Sequence, residues 1–126
     1  MAGTINLQPE VLDLFLYAGD GVTLPMTCVN SAGAPIDLTG SIDAQIRVQR
    51  LETIDPLVTF AVNMVDAYAG KIVLSLTGEQ TAALMLDDSA KLGKFVGVWD
   101  VQWTAAGSEP RTICQGKVEC GADVSR

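Results

Sequence analysis

Histidine is absent from the 126 residues. That removes the side chain best suited to proton transfer near neutral pH and the commonest metal ligand. Basic residues are scarce: 8 Lys and Arg stand against 15 Asp and Glu, for a net charge of −7. Nucleic acid presents a dense phosphate array that Lys and Arg must meet, and an anionic membrane surface makes a similar demand. Neither partner is expected. Cysteine occurs three times, as Cys28, Cys114 and Cys120. The number is odd and no C-x-x-C pair is present, so neither a zinc site nor a redox motif is indicated. The expectation is buried thiols packing as small hydrophobes in a reducing compartment. No run reaches the roughly 18 apolar residues that span a bilayer. The stretch "MAGTINLQPE" lacks the basic region and apolar run of a secretory leader, so folding in a cytoplasm is expected.

The usual catalytic constellations are missing too. No serine stands in a G-x-S-x-G turn, and neither serine nor cysteine has a histidine base. No Gly-rich loop leads into a helix with a lysine, so no phosphate cradle is marked. Asp87 and Asp88 are of the type that binds calcium, but the D-x-D-x-D-G spacing is absent and a solvated loop is the plainer reading. Asp20 in "GDG" and Asp66 in "VDAYAG" sit in turn sequences, where Asp bonds nearby backbone. A glycosidase needs two carboxylates facing across a cleft, and 15 acids provide neighbours without marking such a pair. No catalytic, cofactor-binding or metal-ligating residue is assigned. No cofactor and no small-molecule substrate are expected, and the protein is read as not an enzyme.

What remains is a strong period of two. Hydrophobic residues make up 48% and charged residues 18% of the chain, a globular composition of single-domain length. In "SIDAQIRVQR", Ile42, Ala44, Ile46 and Val48 alternate with Asp43, Gln45, Arg47 and Gln49, a strand with one apolar and one wet face. "GVTLPMTCVN" sets Val22, Leu24, Met26 and Cys28 against Thr23, Pro25, Thr27 and Val29, with Pro25 placing it at an edge or bulge. "KIVLSLT" repeats the pattern through Ile72, Leu74 and Leu76. "LDLFLYAGD" sets Leu12, Leu14 and Leu16 against Val11, Asp13, Phe15 and Tyr17, apolar enough for both faces to be covered. "PLVTFAVNMV" is less regular and is read with a bulge. "AGDG", "NSAGAP", "YAGK" and "AAGSEP" reverse the chain between these runs.

One segment departs from the alternation. Thr77 caps "GEQTAALMLDD", with Gln80 completing a capping box, and the spacing predicts a helix over Gly78 to Leu86. Its Leu84 is expected to close one end of the fold. In "FVGVWDVQWT", Phe95, Gly97, Trp99, Val101 and Trp103 share one face, and Val96, Val98, Asp100, Gln102 and Thr104 the other. Two aromatics on one face predict the packed middle of a sheet, with a ligand-stacking aromatic site as the competing reading. The "WD" pair resembles a propeller signature, but each blade takes about 40 residues and a propeller needs at least four. The expected fold is all-β: an antiparallel β-sandwich of seven to eight strands with one short helix between late strands. Residues 11–120 form the sandwich, flanked by an N-terminal arm over 1–10 and a C-terminal tail over 121–126.

The order of parts carries a resemblance. An apolar strand ends in "YAGDG". A strand, a turn with G-x-P and "DLTG" follow, and then an alternating strand. "GKIVLSLTGEQTAAL" gives a strand and a short helix, and "GVWDVQWT" with "GKVEC" closes as a hairpin. From Leu12 to Cys120 this resembles the small β-sandwich domains of tailed-bacteriophage virion proteins, found in baseplate, tail-tip and tail-fibre components. It is most similar to the N-terminal sandwich of upper-baseplate proteins. The resemblance implies a structural protein of the virion, a tail or baseplate (minor tail) component assembled in the host cytoplasm. Its partners would be other virion subunits and further copies of itself in a symmetric assembly. Residues Met1 to Glu10 would then order only on a neighbour. Three alternatives stand beside this reading. One is a capsid decoration protein with the same sandwich. Another is a carbohydrate-binding module, which requires Trp99 or Trp103 to be exposed. The third is a small hydrolase, disfavoured for want of a base.

Overall fold

The computed structural model describes residues 10–30, 32–48, 57–87 and 93–121. The strands in chain order are β1 (Glu10–Val11), β2 (Leu14–Tyr17), β3 (Val22–Thr27), β4 (Ser41–Arg47), β5 (Val58–Thr59), β6 (Ala61–Asp66), β7 (Lys71–Leu76), β8 (Lys94–Thr104) and β9 (Arg111–Gly121), with helix α1 (Gly78–Leu84) between β7 and β8. They form two sheets. The larger is ordered β1-β9-β8-β4-β5, and β2 continues the line of β1 along the same side of β9; the smaller is β3-β7-β6. The molecule is thus the all-β sandwich with one short helix that the alternation predicts. The β1 and β2 segments lie on a single edge line, so the described strands trace eight lines.

One pairing differs from the wholly antiparallel expectation. β1 and β2 run parallel to β9, with Val11 opposite Gln115 and Leu14 opposite Val118. Parallel pairing is available because the chain leaves β2 through a turn and crosses to the other sheet rather than folding back on β9. In that turn Asp20 N–H donates to the Tyr17 carbonyl at 3.1 Å. The register offset is the same in β1 and β2, so the gap at Leu12–Asp13 is not an inserted residue. It is an exchange of hydrogen-bond partners. The Leu12 N–H still donates to Gln115 O at 2.9 Å, but the Lys117 N–H donates to Asp13 Oδ1 at 2.9 Å. The Leu12 carbonyl is released from the ladder and accepts the Trp99 Nε1–H at 2.7 Å.

The irregular run before β6 has a specific cause. Val58 pairs with Ile46 in the larger sheet, whereas Ala61 pairs with Ser75 in the smaller one. One extended stretch therefore passes from sheet to sheet at Phe60, whose N–H donates to Ala44 O at 2.8 Å. The expected bulge is present as well, as a register shift between Met64 and Asp66. Pro25 lies on β3, an edge of the smaller sheet, where a missing N–H costs the ladder nothing.

The core gathers Ile42, Ala44 and Ile46 from β4, Phe95, Trp99 and Val101 from β8, and Ile72, Leu74 and Leu76 from β7. Leu84 from α1 closes one end, fully buried. The helix starts as predicted, with the Thr77–Gln80 capping box formed in both directions. It ends two residues earlier than the predicted Leu86. Met85 and Leu86 bond three residues back, to Ala82 and Ala83, the tightened geometry common at helix ends. Of the segments read as arms, Glu10 is already part of β1 and Gly121 ends β9; residues 1–9 and 122–126 lie outside the described residues.

Gly116 faces Trp99 across the β8–β9 pair. A Cβ there would fall 2.0 Å from the Leu12 carbonyl oxygen. Gly116→Ala is therefore expected to push the edge strand off β9 and break the Trp99 bond, destabilising the fold by about 2–4 kcal/mol. Urea unfolding followed by tryptophan emission measures this, and an unchanged midpoint would contradict the arrangement.

Candidate interaction surface

The residues that the sequence marks for chemistry have structural partners. Trp99 is 1% exposed, stacked at a tilt on Phe60 with ring centroids 5.8 Å apart. Trp103 is only half-buried and packs at the margin of the core, its indole N–H donating to Thr39 O at 3.2 Å. The two tryptophans share a face, as expected, but they do not share the centre. Trp103 lies at the end of β8, where Ile42 is its neighbour on β4 and Arg111 its neighbour on β9. Asp100, on the outer face, forms an ion pair with Arg47 at 3.7 Å, both side chains mostly buried. Arg47 and Asp100 sit diagonally on adjacent strands, within reach of long side chains.

The turn acids behave as local hydrogen-bond acceptors. Asp66 accepts from the Ala69 N–H at 3.2 Å. In "DLTG", Asp37 accepts from both the Thr39 N–H, at 2.9 Å, and the Thr39 hydroxyl. The Thr39 hydroxyl first, and its amide second, hold the Asp37 carboxyl below the usual aspartate range. Between Asp37 and Thr39, Leu38 is fully buried and its N–H reaches Ala67 O at 2.8 Å. The motif is thus a turn that plants one leucine in the core. Asp88 lies outside the described residues. Among those described, no group of three or more His, Cys, Asp or Glu could hold a metal ion, and no helix is long and apolar enough to cross a membrane. Cys114 and Cys120 are buried and Cys28 is half-buried. Burial pushes the Cys28 and Cys120 thiols up, so both stay protonated at neutral pH, as poor nucleophiles.

The outward side of β2 is left uncovered, although "LDLFLYAGD" is apolar enough for both faces to be covered. Leu14 and Leu16 are indeed buried, but Phe15 is 72% and Tyr17 59% exposed. Among the described residues the sandwich has two layers, and no third layer lies over the outer face of the larger sheet. Phe15 stands in register with Glu119 on β9 and Val96 on β8, and Val96 is 51% exposed. Further across the same face the row turns polar, through Asp100, Gln102 and Gln115. The exposed apolar residues thus lie along the sheet edge, Phe15, Tyr17 and Val96 at one end and Val11 further along the same line.

A residue without an assigned role in the sequence holds this edge in place. Thr81, on α1, is fully buried. Its hydroxyl accepts the Gly19 N–H at 3.0 Å and donates to the Asp20 carbonyl at 2.9 Å. The helix therefore clamps the turn that leaves β2. The signal in the sequence is the second threonine of T-x-x-Q-T. Its position one residue past the capping box points it at the preceding turn.

No family model matches the chain, and no curated protein matches it. Solved structures resemble it distantly. The extracellular domain of the voltage-gated sodium channel β4 subunit, described as a parallel homodimer with a role in cell–cell adhesion, is 8% identical, with a TM-score of 0.44 over 93% of this chain and 96% of that one. An internalin-like protein of Listeria monocytogenes is 15% identical, with a TM-score of 0.38 over 91% of this chain but 28% of that one. Sodium-channel β subunits studied for multimeric cell-adhesive interactions give 8% identity and a TM-score of 0.38 over 90% of this chain and 92% of that one. Likenesses this distant carry neither family nor function to this chain.

Thr81→Val keeps the shape of the side chain and removes its hydroxyl. It leaves the Gly19 N–H and Asp20 carbonyl without that partner, and is expected to cost about 1–3 kcal/mol, measured by thermal or urea unfolding. Asp37 gives a pH test. Its folded carboxyl titrates below the unfolded one, so the turn's contribution is present above the ordinary aspartate range and fades as pH falls through the folded value. Thr39→Ala is expected to return the Asp37 carboxyl towards that ordinary range, read by carboxyl carbon shifts in an NMR titration.

Proposed function

We propose that this protein is a non-enzymatic structural subunit that works by docking to neighbours, and that the assembly it serves is a bacteriophage virion, as a component of the tail or baseplate. The observation that carries the docking role is the exposed apolar end of the larger sheet, where Phe15 and Tyr17 stand out beside an open strand edge. Exposed aromatics at a rigid sheet edge are what association uses: large contact area, few rotatable bonds, and main-chain groups ready to pair. The virion context comes from the sequence resemblance through "YAGDG", "DLTG", "GEQTAAL" and "GVWDVQWT". Copies of the chain and other virion subunits are its partners. The mechanism is folding followed by docking, with no bond made or broken.

The carbohydrate-binding alternative has less to draw on. Trp99 offers no face to a sugar, and Trp103 is partly buried against the core.

Peptide mass spectrometry of purified particles from the phage that encodes this sequence is expected to detect the protein. Electron microscopy with a labelled subunit is expected to place the label on the tail. Label on the shell would replace the tail reading with capsid decoration, and absence from particles would overturn the virion reading altogether.

A further inference from the structure

We propose that β2 pairs with β2 of a second copy of this chain, antiparallel about a two-fold axis, joining two larger sheets into one continuous sheet. The inference rests on the docking role assigned to this edge and names its occupant.

The argument begins with how the sheet edges differ. Exposed strand edges invite pairing with other chains, and proteins blunt them with short strands, prolines, bulges or charges. Among the described residues, three edges are blunted in this way. β5 is two residues long, β3 carries Pro25, and β6 has its register shift between Met64 and Asp66. β2 is short, at four residues, but it carries no proline, bulge or charge. Leu14–Tyr17 pairs with β9 without interruption.

The backbone of β2 is set for a partner. Ala18 N–H donates to Gly121 O on β9 at 2.8 Å. Successive residues of a strand direct their main-chain groups to opposite sides, so Leu16 and Leu14 also address β9. Phe15 and Tyr17 therefore direct theirs outwards. These are the two residues whose side chains are exposed, so an added strand would engage main chain and side chain together.

Charge argues for a second copy as that strand. At a net −7, two copies repel unless the surfaces in contact are locally neutral. Across the rows in register with Leu14–Tyr17, the charged residues are Glu119 and Lys94, and these pair with each other at 3.9 Å. The edge is thus a neutral block on an acidic protein. It is also self-complementary. With Leu16 on the two-fold axis, Phe15 of each copy lies opposite Tyr17 of the other, on the same face and as a hydrogen-bonded pair. Aromatic cross-strand pairs of this kind stabilise sheets.

Sedimentation velocity on the full chain, from about 1 to several hundred micromolar, tests the pairing. The expected result is a monomer–dimer equilibrium, with hydrogen-exchange protection at the Phe15 and Tyr17 amides rising with concentration. Phe15→Lys, at an exposed side chain, is expected to raise the dimer Kd by at least about tenfold. A single-chain mass at all concentrations, a dimer indifferent to Phe15→Lys, or amide protection independent of concentration would each overturn the proposal. Should the lysine variant fail to fold, the wild-type exchange profile decides. A monomeric chain whose Phe15→Lys variant no longer enters particles would overturn pairing between copies and leave the docking role standing. A dimer absent from particles would overturn the virion reading and leave the pairing standing.

Discussion

The Trp99 indole bond to the Leu12 carbonyl is the contact on which the edge of the sandwich depends. A tryptophan buried in an apolar core must find an acceptor for its N–H or lose the full desolvation cost of that group. Here the acceptor is main chain, taken from a β-ladder. A regular parallel pair would join the Leu12 carbonyl to the Lys117 amide. Instead Asp13 satisfies Lys117 through its side chain, and Leu12 turns to Trp99. Gly116 makes the approach possible because it leaves no Cβ between them. Leu12 and Asp13, between β1 and β2, thus exchange partners with Lys117 of β9 and Trp99 of β8 with none of these groups abandoned, and the edge line is tied to the centre of the core as well as to its neighbour.

The same logic joins the remaining parts. The two layers are linked covalently at Phe60, which leaves one sheet and enters the other while its ring lies against Trp99. Leu38 pins the long connection before β4 by entering the core between two residues that bond each other. Thr81 holds the turn after β2 from the helix side, and the Cys120 thiol donates weakly to the Thr81 carbonyl at 3.6 Å. Polar groups near the core are spent on positioning backbone. Asp13, Thr81 and Cys120 each bond main chain in this way.

Much of this was legible from alternation and turn chemistry. Pro25 marked an edge because a ring without an N–H is tolerated there. Thr77 and Gln80 marked the helix start because the capping box is a local device needing only neighbours three residues apart. The alternation of β4 and β8 marked their buried faces. What could not be read depends on distant partners. The parallel placement of β2 requires knowing that it meets β9 from the same end. The role of Gly116 requires a carbonyl more than 100 residues away in the sequence. Phe15 and Tyr17 looked core-like because hydrophobicity reports a preference for burial and not the presence of a layer to supply it. The half-burial of Trp103 follows from its position near the end of the sheet, which a period of two does not encode.

The exposure of Phe15 and Tyr17 bears on the proposed docking role. A residue pattern suited to burial on both faces, found on a strand with only one face covered, is a local conflict within an otherwise consistent sequence. Such conflicts collect where a protein gives up part of its own stability for a contact with something else. The supports around β2 make the conflict useful. Trp99 fixes its beginning, the buried Leu14 and Leu16 fix its register, and Thr81 fixes its exit. In the proposed docking role the edge would meet a partner already in extended form, with little ordering left to oppose association. A flexible segment of the same composition would lose that advantage and would expose its leucines as well as its aromatics. The physical requirement for docking at this edge is rigidity before contact, and the tryptophan–carbonyl bond at its start supplies part of it.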